Sequence, residues 1–358
     1  MLFLPEVCVR AAEAPSQGPP VAAQLSGRGF SHRLKEESAI RRFVINANDA
    51  GQRLDKYLTK AVRLLPQSLL YKYLRLKRIK VNGKKSEIRY RLQEGDVVEL
   101  YINDEFFSEK APDFLGAPPE VRTVYEDGNI LLADKPQGLI VHEDQGETVD
   151  TLINRVKHYL YRKGEYDPGK ETSFAPALCN RIDRNTGGIV IVAKNAEALR
   201  ILNEAIRNRE IEKFYLCLVK GTPEPRSATL THYHRKDEAE NKAVIYDHPR
   251  PDTKTMITKY TVLQTNGRYS LVEVELKTGR THQIRAHMAY IGHPLVGDGK
   301  YASNAAEKKK GFDCQALYSY KLRFAFREEH ALSYLNGRTF QVPDVWFARD
   351  GIPASLRE

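Results

Sequence analysis

Apolar and polar positions along this chain change period several times, and each change marks an element. Leu54, Tyr57, Leu58 and Ala61 recur at helical spacing, and Leu70, Tyr73 and Leu74 repeat the pattern after Pro66-Gln67-Ser68. Ile79-Lys80-Val81 and Val97-Val98-Glu99-Leu100 read as strands, with Asn82-Gly83 a tight-turn signal. Asn129 to Ala133 is an apolar strand closed by a Lys135-Pro136-Gln137-Gly138 turn, and Leu139-Ile140-Val141 reads as a second short strand. Ile189-Val190-Ile191-Val192-Ala193 is short, β-branched and unbroken, the mark of a buried strand. Asn195 opens a helix with Leu199, Leu202 and Ile206 on one face. In Lys213–Gly221 one strand face carries Phe214, Leu216 and Leu218, and the other carries Tyr215, Cys217 and Val219. Val272, Val274 and Leu276 alternate with Glu273 and Glu275, a half-buried strand. Gly279-Arg280 turns the chain and Thr281 is the expected N-cap of a helix on which Ile284, Met288 and Ile291 form the apolar stripe. Gly292 stops that helix, and Arg285 lies one position off the stripe.

The stretches between these elements set the organisation. Residues 1–40 are rich in Pro, Ala, Ser, Gly and Gln without periodicity and read as a disordered extension. A small domain spans 43–103, a linker with Pro112, Gly116, Pro118 and Pro119 spans 104–119, and a larger domain spans 120–350. The polar segment from His232 to Pro251 reads as a hairpin and loop with no assigned function.

Composition agrees with two domains: the chain has 358 residues and 41% hydrophobic content. No apolar run approaches the ~18 residues needed to cross a membrane. The start lacks a basic n-region, and Pro5 and Glu6 interrupt its apolar stretch, so no secretory leader is expected. Cysteines 8, 179, 217 and 314 form no close pairs, which suits a reduced cytoplasm. A monomer is expected.

Charge changes the picture more. The net +10 is concentrated between Lys72 and Arg91, where Lys72, Arg75, Lys77, Arg78, Lys80, Lys84, Lys85, Arg89 and Arg91 face one acid, Glu87. A stripe this dense suits phosphate contacts; a solvated face is the alternative.

Candidate chemistry centres on Asn180-Arg181-Ile182-Asp183-Arg184-Asn185-Thr186-Gly187-Gly188. One carboxylate sits between two guanidinium groups at a strand entrance, an arrangement that favours the ionised acid. Taken alone, it is also an ordinary surface charge cluster. His282, His287 and His293 lack metal-ligand spacing, and no nearby cysteine completes a set, so no metal is expected.

The same segment resembles the catalytic motif of the RluA-type pseudouridine synthases, His-Arg-Leu-Asp-Arg-Asp-Thr-Ser-Gly. Arg181, Asp183, Arg184, Thr186 and Gly188 match, Ile182 replaces Leu, and Asn180, Asn185 and Gly187 depart from the His, Asp and Ser. Val124–His142 is similar to the family's first motif. Leu276–Met288, with its Gly-Arg-Thr-His-Gln-Ile-Arg core, and Gly292–Asp298 are similar to later ones. The resemblance covers roughly 120–345. It implies an α+β fold, with a mixed, largely antiparallel sheet flanked by helices, and an isomerase that needs no cofactor. It implies Asp183 as catalytic carboxylate, Arg285 as its partner and Tyr215 as a residue packed on the target base. For the last two, a surface arginine and a core tyrosine are the alternatives. Arg181, Arg184, Arg280 and His282 are expected to touch RNA.

Residues 43–103, with Arg53-Leu54-Asp55 at their head and Lys80-Val81-Asn82-Gly83 in the middle, resemble the small α/β RNA-binding domain named for ribosomal protein S-four. The resemblance implies that Lys72, Arg75, Lys77, Arg78, Lys80, Lys84 and Lys85 grip RNA. The domain pairing points to large-subunit ribosomal RNA. Transfer RNA, or a non-catalytic RNA-binding assembly factor motivated by the three departures, are the alternatives.

Overall fold

The computed structural model describes residues 40–107 and 113–356, so the extension expected over 1–40 lies outside it except for Ile40. Residues 40–101 build a small sheet body. Its strands β1 (Ile40–Val44), β2 (Ile79–Val81), β3 (Lys84–Lys85) and β4 (Val97–Tyr101) are antiparallel, in the order β1-β4-β2-β3. Helices α1 (Leu54–Ala61) and α2 (Gln67–Arg75) bury Leu54, Tyr57, Leu58, Leu70 and Leu74 against it. Asn82 and Gly83 both take positive φ, 52° and 73°, which lets the β2–β3 turn follow the strand twist. Strand β1 was not expected from the pattern. Its residues, Ile-Arg-Arg-Phe-Val, are mostly exposed, so backbone pairing with β4 holds it rather than an apolar face.

The segment read as a linker is partly seated. Phe106 and Phe107 pack on the small core, and Phe114 is buried with Leu152 and Val156 of the larger body.

The larger body is one mixed sheet. Its strands are β5 (Thr123–Glu126), β6 (Ile130–Lys135), β7 (Ala177–Leu178), β8 (Gly187–Ala193), β9 (Ile211–Lys220), β10 (Ser227–Asp237), β11 (Lys242–Tyr246), β12 (Lys254–Thr265), β13 (Tyr269–Leu276), β14 (Leu317–Phe324) and β15 (Thr339–Gln341). The order is β11-β10-β12-β13-β9-β14-β8-β6-β5, with β7 beside β8 and β15 beside β14; only β8 and β14 run parallel. Helices α3 (Leu152–Arg162), α4 (Ala196–Arg207) and α5 (Gln283–Tyr290) cover it. Every residue of β8 is buried, as its unbroken apolar run requires. The two faces of β9 separate as the alternation predicts. Leu216 and Leu218 join Leu202 of α4, while Tyr215, Cys217 and Val219 join Ile284 and Met288 of α5.

Two local expectations change. Leu139–Val141 forms no strand; Ile140 makes a single bridge to Thr151. Thr281 does not cap α5, which starts after His282 with no capping side chain. Gln283 ties the approach to the helix in place instead. Its Oε1 accepts from the Arg280 backbone N–H (3.0 Å) and the Thr278 hydroxyl (2.9 Å), and its Nε2 donates to the Ile257 carbonyl (2.8 Å).

A loop of the small body docks on the larger one. Asn48 donates to Glu171 (2.8 Å) and accepts the first N–H of α4, from Ala196, at 3.0 Å. Asp49, fully buried, accepts from the Ser173 hydroxyl, which also takes a bond from Gln52. No helix among the described residues is long and apolar enough to cross a membrane.

Candidate active site

Asp183 lies in the loop between β7 and β8, at the sheet end where the only parallel pair begins. The first family-like motif turns out to be the latch for that loop. Lys135, fully buried, donates from Nζ to the carbonyls of Pro136 (2.9 Å), Leu139 (2.7 Å) and Arg184 (2.8 Å). The Gly138 N–H also reaches the Arg184 carbonyl (2.9 Å), and Gln137 donates to the Asn185 carbonyl (3.0 Å). Burial pushes the Lys135 ammonium down to about 7, while Asp183, Cys314 and Asp134 pull it back up. Three carbonyls occupy all three N–H groups of an ammonium, so the geometry fits the charged form.

The acid is held by a carboxylate–guanidinium–carboxylate chain. Arg285 Nη1 donates to Asp183 Oδ2 at 3.0 Å. The rest of its fork is bidentate on Asp298, with Nε to Oδ2 at 2.7 Å and Nη2 to Oδ1 at 2.8 Å. The Asp298 side chain is 0% exposed, that of Arg285 9% and that of Asp183 30%. Buried Asp298 thus fixes the guanidinium plane, and the plane fixes Asp183. These two carboxylates raise the Arg285 pKa against the desolvation that lowers it.

Oδ1 of Asp183 makes no hydrogen bond among the described residues, and the acid opens on a cavity of about 470 Å³. That is within the roughly 300–1,000 Å³ of ligand sites. Arg184, Asn185, His282, Arg285, Lys300 and Gln315 are among its lining residues.

The other predicted residues fall in three groups. Arg184 lines the cavity and, among the described residues, its side chain pairs only with exposed Asp144 (3.3 Å). His282 lies 3.9 Å from Asp183 by its Nε2, and Tyr301 meets its Nδ1 at 3.1 Å. Arg181 is exposed, and Arg280 is half-buried with Nε on the Thr255 carbonyl. Tyr215 is 5% exposed, inside the core cluster with Val274, Ile284 and Leu317, and it is not part of the cavity wall. Burial pushes its phenol up to about 12, with a hydrogen bond to Ser319 acting the other way and Asp183 adding to the rise. On the small body Lys72, Arg75, Lys77, Arg78, Lys84 and Lys85 are exposed and have no acid within ion-pair distance among the described residues. Lys80 lies 4.9 Å above the Tyr101 ring.

Sequence reasoning missed Asp298, Tyr301 and Lys135 as site residues. An acid one glycine beyond the apolar Leu295-Val296 pair was the available signal for Asp298, because a carboxylate so close to a buried apolar pair needs a cationic partner. Two of the three departures from the family motif, Asn180 and Gly187, have local explanations. Asn180 accepts the Ile191 N–H at 2.8 Å and so splices the loop onto β8. Gly187 lies under Tyr318: a Cβ there would meet its ring at 2.3 Å. The Tyr318 hydroxyl donates to buried Asp134 at 2.7 Å. No group of three or more His, Cys, Asp or Glu among the described residues is placed to hold a metal ion.

The family described as RNA pseudouridylate synthase matches residues 129–290. An RNA pseudouridine synthase of Chlorobaculum parvum is 33% identical over 250 residues, 70% of this chain and 75% of that protein. Ribosomal large subunit pseudouridine synthase C of Vibrio cholerae is 31% identical over 72% of this chain and 79% of its own length. Ribosomal large subunit pseudouridine synthase D of Blochmanniella floridana is 31% identical over 82% and 88%. The mixed sheet, the motifs in family order and this breadth of similarity agree: the chain belongs to the RluA-type RNA pseudouridine synthases, isomerases that act on RNA.

Proposed function

We propose that this chain converts specific uridines of large-subunit ribosomal RNA to pseudouridine, with Asp183 as the catalytic carboxylate. The observation that carries the reading is the Asp183–Arg285–Asp298 chain at the cavity floor, which pins one carboxylate oxygen and leaves Oδ1 free. The reaction breaks the bond between the ribose carbon and uracil nitrogen and rejoins the base through carbon. No electrons or groups are exchanged with a donor. A carboxylate suffices, as nucleophile or as base on the sugar.

The target uridine must leave its stack to reach Asp183, at a cost of about a few kcal/mol. Arg184 is the candidate grip on an adjacent phosphate, because its side chain's only partner among the described residues is a solvent-exposed acid. Tyr215 lies in the core cluster on which Ile182 packs, outside the cavity wall, so it stacks on the base only if RNA binding brings the two together. Residues 43–103 serve as an S-four-like RNA-binding domain in which Lys72, Arg75, Lys77, Arg78, Lys84 and Lys85, without an ion-pair partner among the described residues, contact phosphates. The names of the Vibrio and Blochmanniella relatives support ribosomal RNA as target.

Asp183→Asn in the full chain tests the assignment. RNA from cells lacking the gene should gain no pseudouridine on incubation with the variant, while RNA binding stays near that of the parent. Turnover by the variant would remove Asp183 from its role. Sites appearing only in transfer RNA with the parent chain would replace the ribosomal target.

A further inference from the structure

His282, which faces Asp183, has a left-handed backbone, φ 51° and ψ 25°. A non-glycine residue in that region is held there by its surroundings. Its surroundings are a chain of polar contacts, of which the first has a fixed direction. The backbone N–H of Ala243, at the start of β11, donates to the Tyr301 hydroxyl oxygen at 2.8 Å. That oxygen lies 3.1 Å from His282 Nδ1. The amide can only donate, so the hydroxyl accepts there and its own proton is available to Nδ1. An Nδ1 that accepts carries no proton, and a neutral ring then bears its proton on Nε2. Nε2 is the atom 3.9 Å from Asp183 Oδ2, the oxygen that Arg285 already holds.

Two further contacts keep the chain in register. The Tyr301 ring stands edge-on to the imidazole at 89° and lies 5.4 Å from the Arg285 guanidinium carbon. Lys300 donates to the Asn241 carbonyl at 3.0 Å, fastening the β10–β11 turn to the loop that carries Tyr301. Burial lowers the His282 pKa, partly countered by Asp183, so its neutral form persists near neutral pH.

We propose that Tyr301 and His282 form a positioning pair for the reaction, in which the Tyr301 hydroxyl fixes a neutral imidazole with its Nε2–H aimed at Asp183. The pair adds a second donor to Oδ2 when the site closes on RNA and leaves Oδ1 as the oxygen that meets the nucleotide. It also makes the β10–β11 hairpin part of the catalytic arrangement, since Ala243 sets the direction of the first bond. This rests on Asp183 being the catalytic acid. It differs from the simpler expectation that His282 touches RNA phosphate.

Three readouts on the full chain separate these readings. Nitrogen-15 NMR of histidine-labelled protein should give His282 an unprotonated Nδ1 and a protonated Nε2, with a mixed tautomer in Tyr301→Phe. An imidazolium, or a proton on Nδ1 in the parent chain, overturns the pair whatever the chain's activity. With RNA from cells lacking the gene as substrate, Tyr301→Phe should slow single-turnover conversion about tenfold or more with unchanged RNA affinity. His282→Gln, which keeps a donor near the Nε2 position, should retain more rate than His282→Ala. A His282→Ala variant that binds RNA more weakly, with a shallower salt dependence and an unchanged saturated rate, makes the residue a phosphate contact and overturns the pair. If the parent chain converts nothing in that RNA, the reading of Asp183 fails, and the NMR result still decides the tautomer.

Discussion

The acid's end of the large sheet and the basic face of the small one handle charge in opposite ways. Around Asp183 the buried charges are tied down: Arg285 to two carboxylates, Lys135 to three carbonyls. On the small body, Lys72, Arg75, Lys84 and Lys85 stand in solvent with no acid partner among the described residues. Fixed charge in a partly desolvated cavity sets geometry and acts on rate. Free charge on an exposed face releases counterions and acts on affinity. The proposed function therefore divides between two places that mutation should separate.

The sharpest test of that division is Arg285→Met. It leaves Asp298 as a buried carboxylate without its partner, and breaking such a pair costs about 3–5 kcal/mol. Denaturant titration should show this loss together with a fall in conversion rate. Full stability in the variant would mean that Asp298 is not held as described. Changing Lys72, Arg75, Lys84 and Lys85 to Gln should do the reverse. Stability and saturated rate should hold, while each lost contact lowers the slope of log affinity against log salt by about 1. A parallel slope would rule out that face as the RNA grip.

Gly187→Ser probes the boundary between the two behaviours, because it restores the motif's serine under a ring that leaves no room. Overpacking of this kind costs about 1–3 kcal/mol, and thermal unfolding of the variant should show it. A variant as stable as its parent would mean that Tyr318 moves freely.

A more gradual effect is expected from pH. Burial, with His232 and His234 nearby, pushes the His287 imidazole from 6.5 down to about 3. Between those values the unfolded chain binds a proton and the folded one does not, so stability falls as pH drops from about 6.5 toward 3. The slope approaches 1.4 kcal/mol per pH unit. His287→Gln should flatten it, as urea midpoints across the window would reveal.

Much of this frame was legible from the sequence because its signals are local. Periodicity placed β8, β9, β13 and the stripe of α5, and the motif order placed Asp183 and Arg285 in one family pattern. What was not legible is long-range. Asp298 matters through Arg285, thirteen positions away, and Lys135 through a loop forty-nine positions on. A lysine before proline and glycine looks like turn chemistry until its ammonium is seen inside the protein. The helix start was misplaced for a related reason. Thr281 has the composition of a cap, but Gln283 reaches back to Thr278 and Arg280, and His282 takes the left-handed turn between them. Strand β1 escaped because an edge strand paired through its backbone needs no apolar alternation.

The contact between Asn48, Asp49 and Gln52 and the loop at Glu171 and Ser173 bears on how such proteins can be recombined. A small RNA-binding unit on a loose tether could be exchanged as a cassette. Here the small body carries half of a polar seam, and the other half includes the first amide of α4. A chimera that receives a foreign unit without matching residues at 46–52 would leave Ser173 and that amide facing the wrong groups. Successful transplants should therefore carry both sides of the seam together.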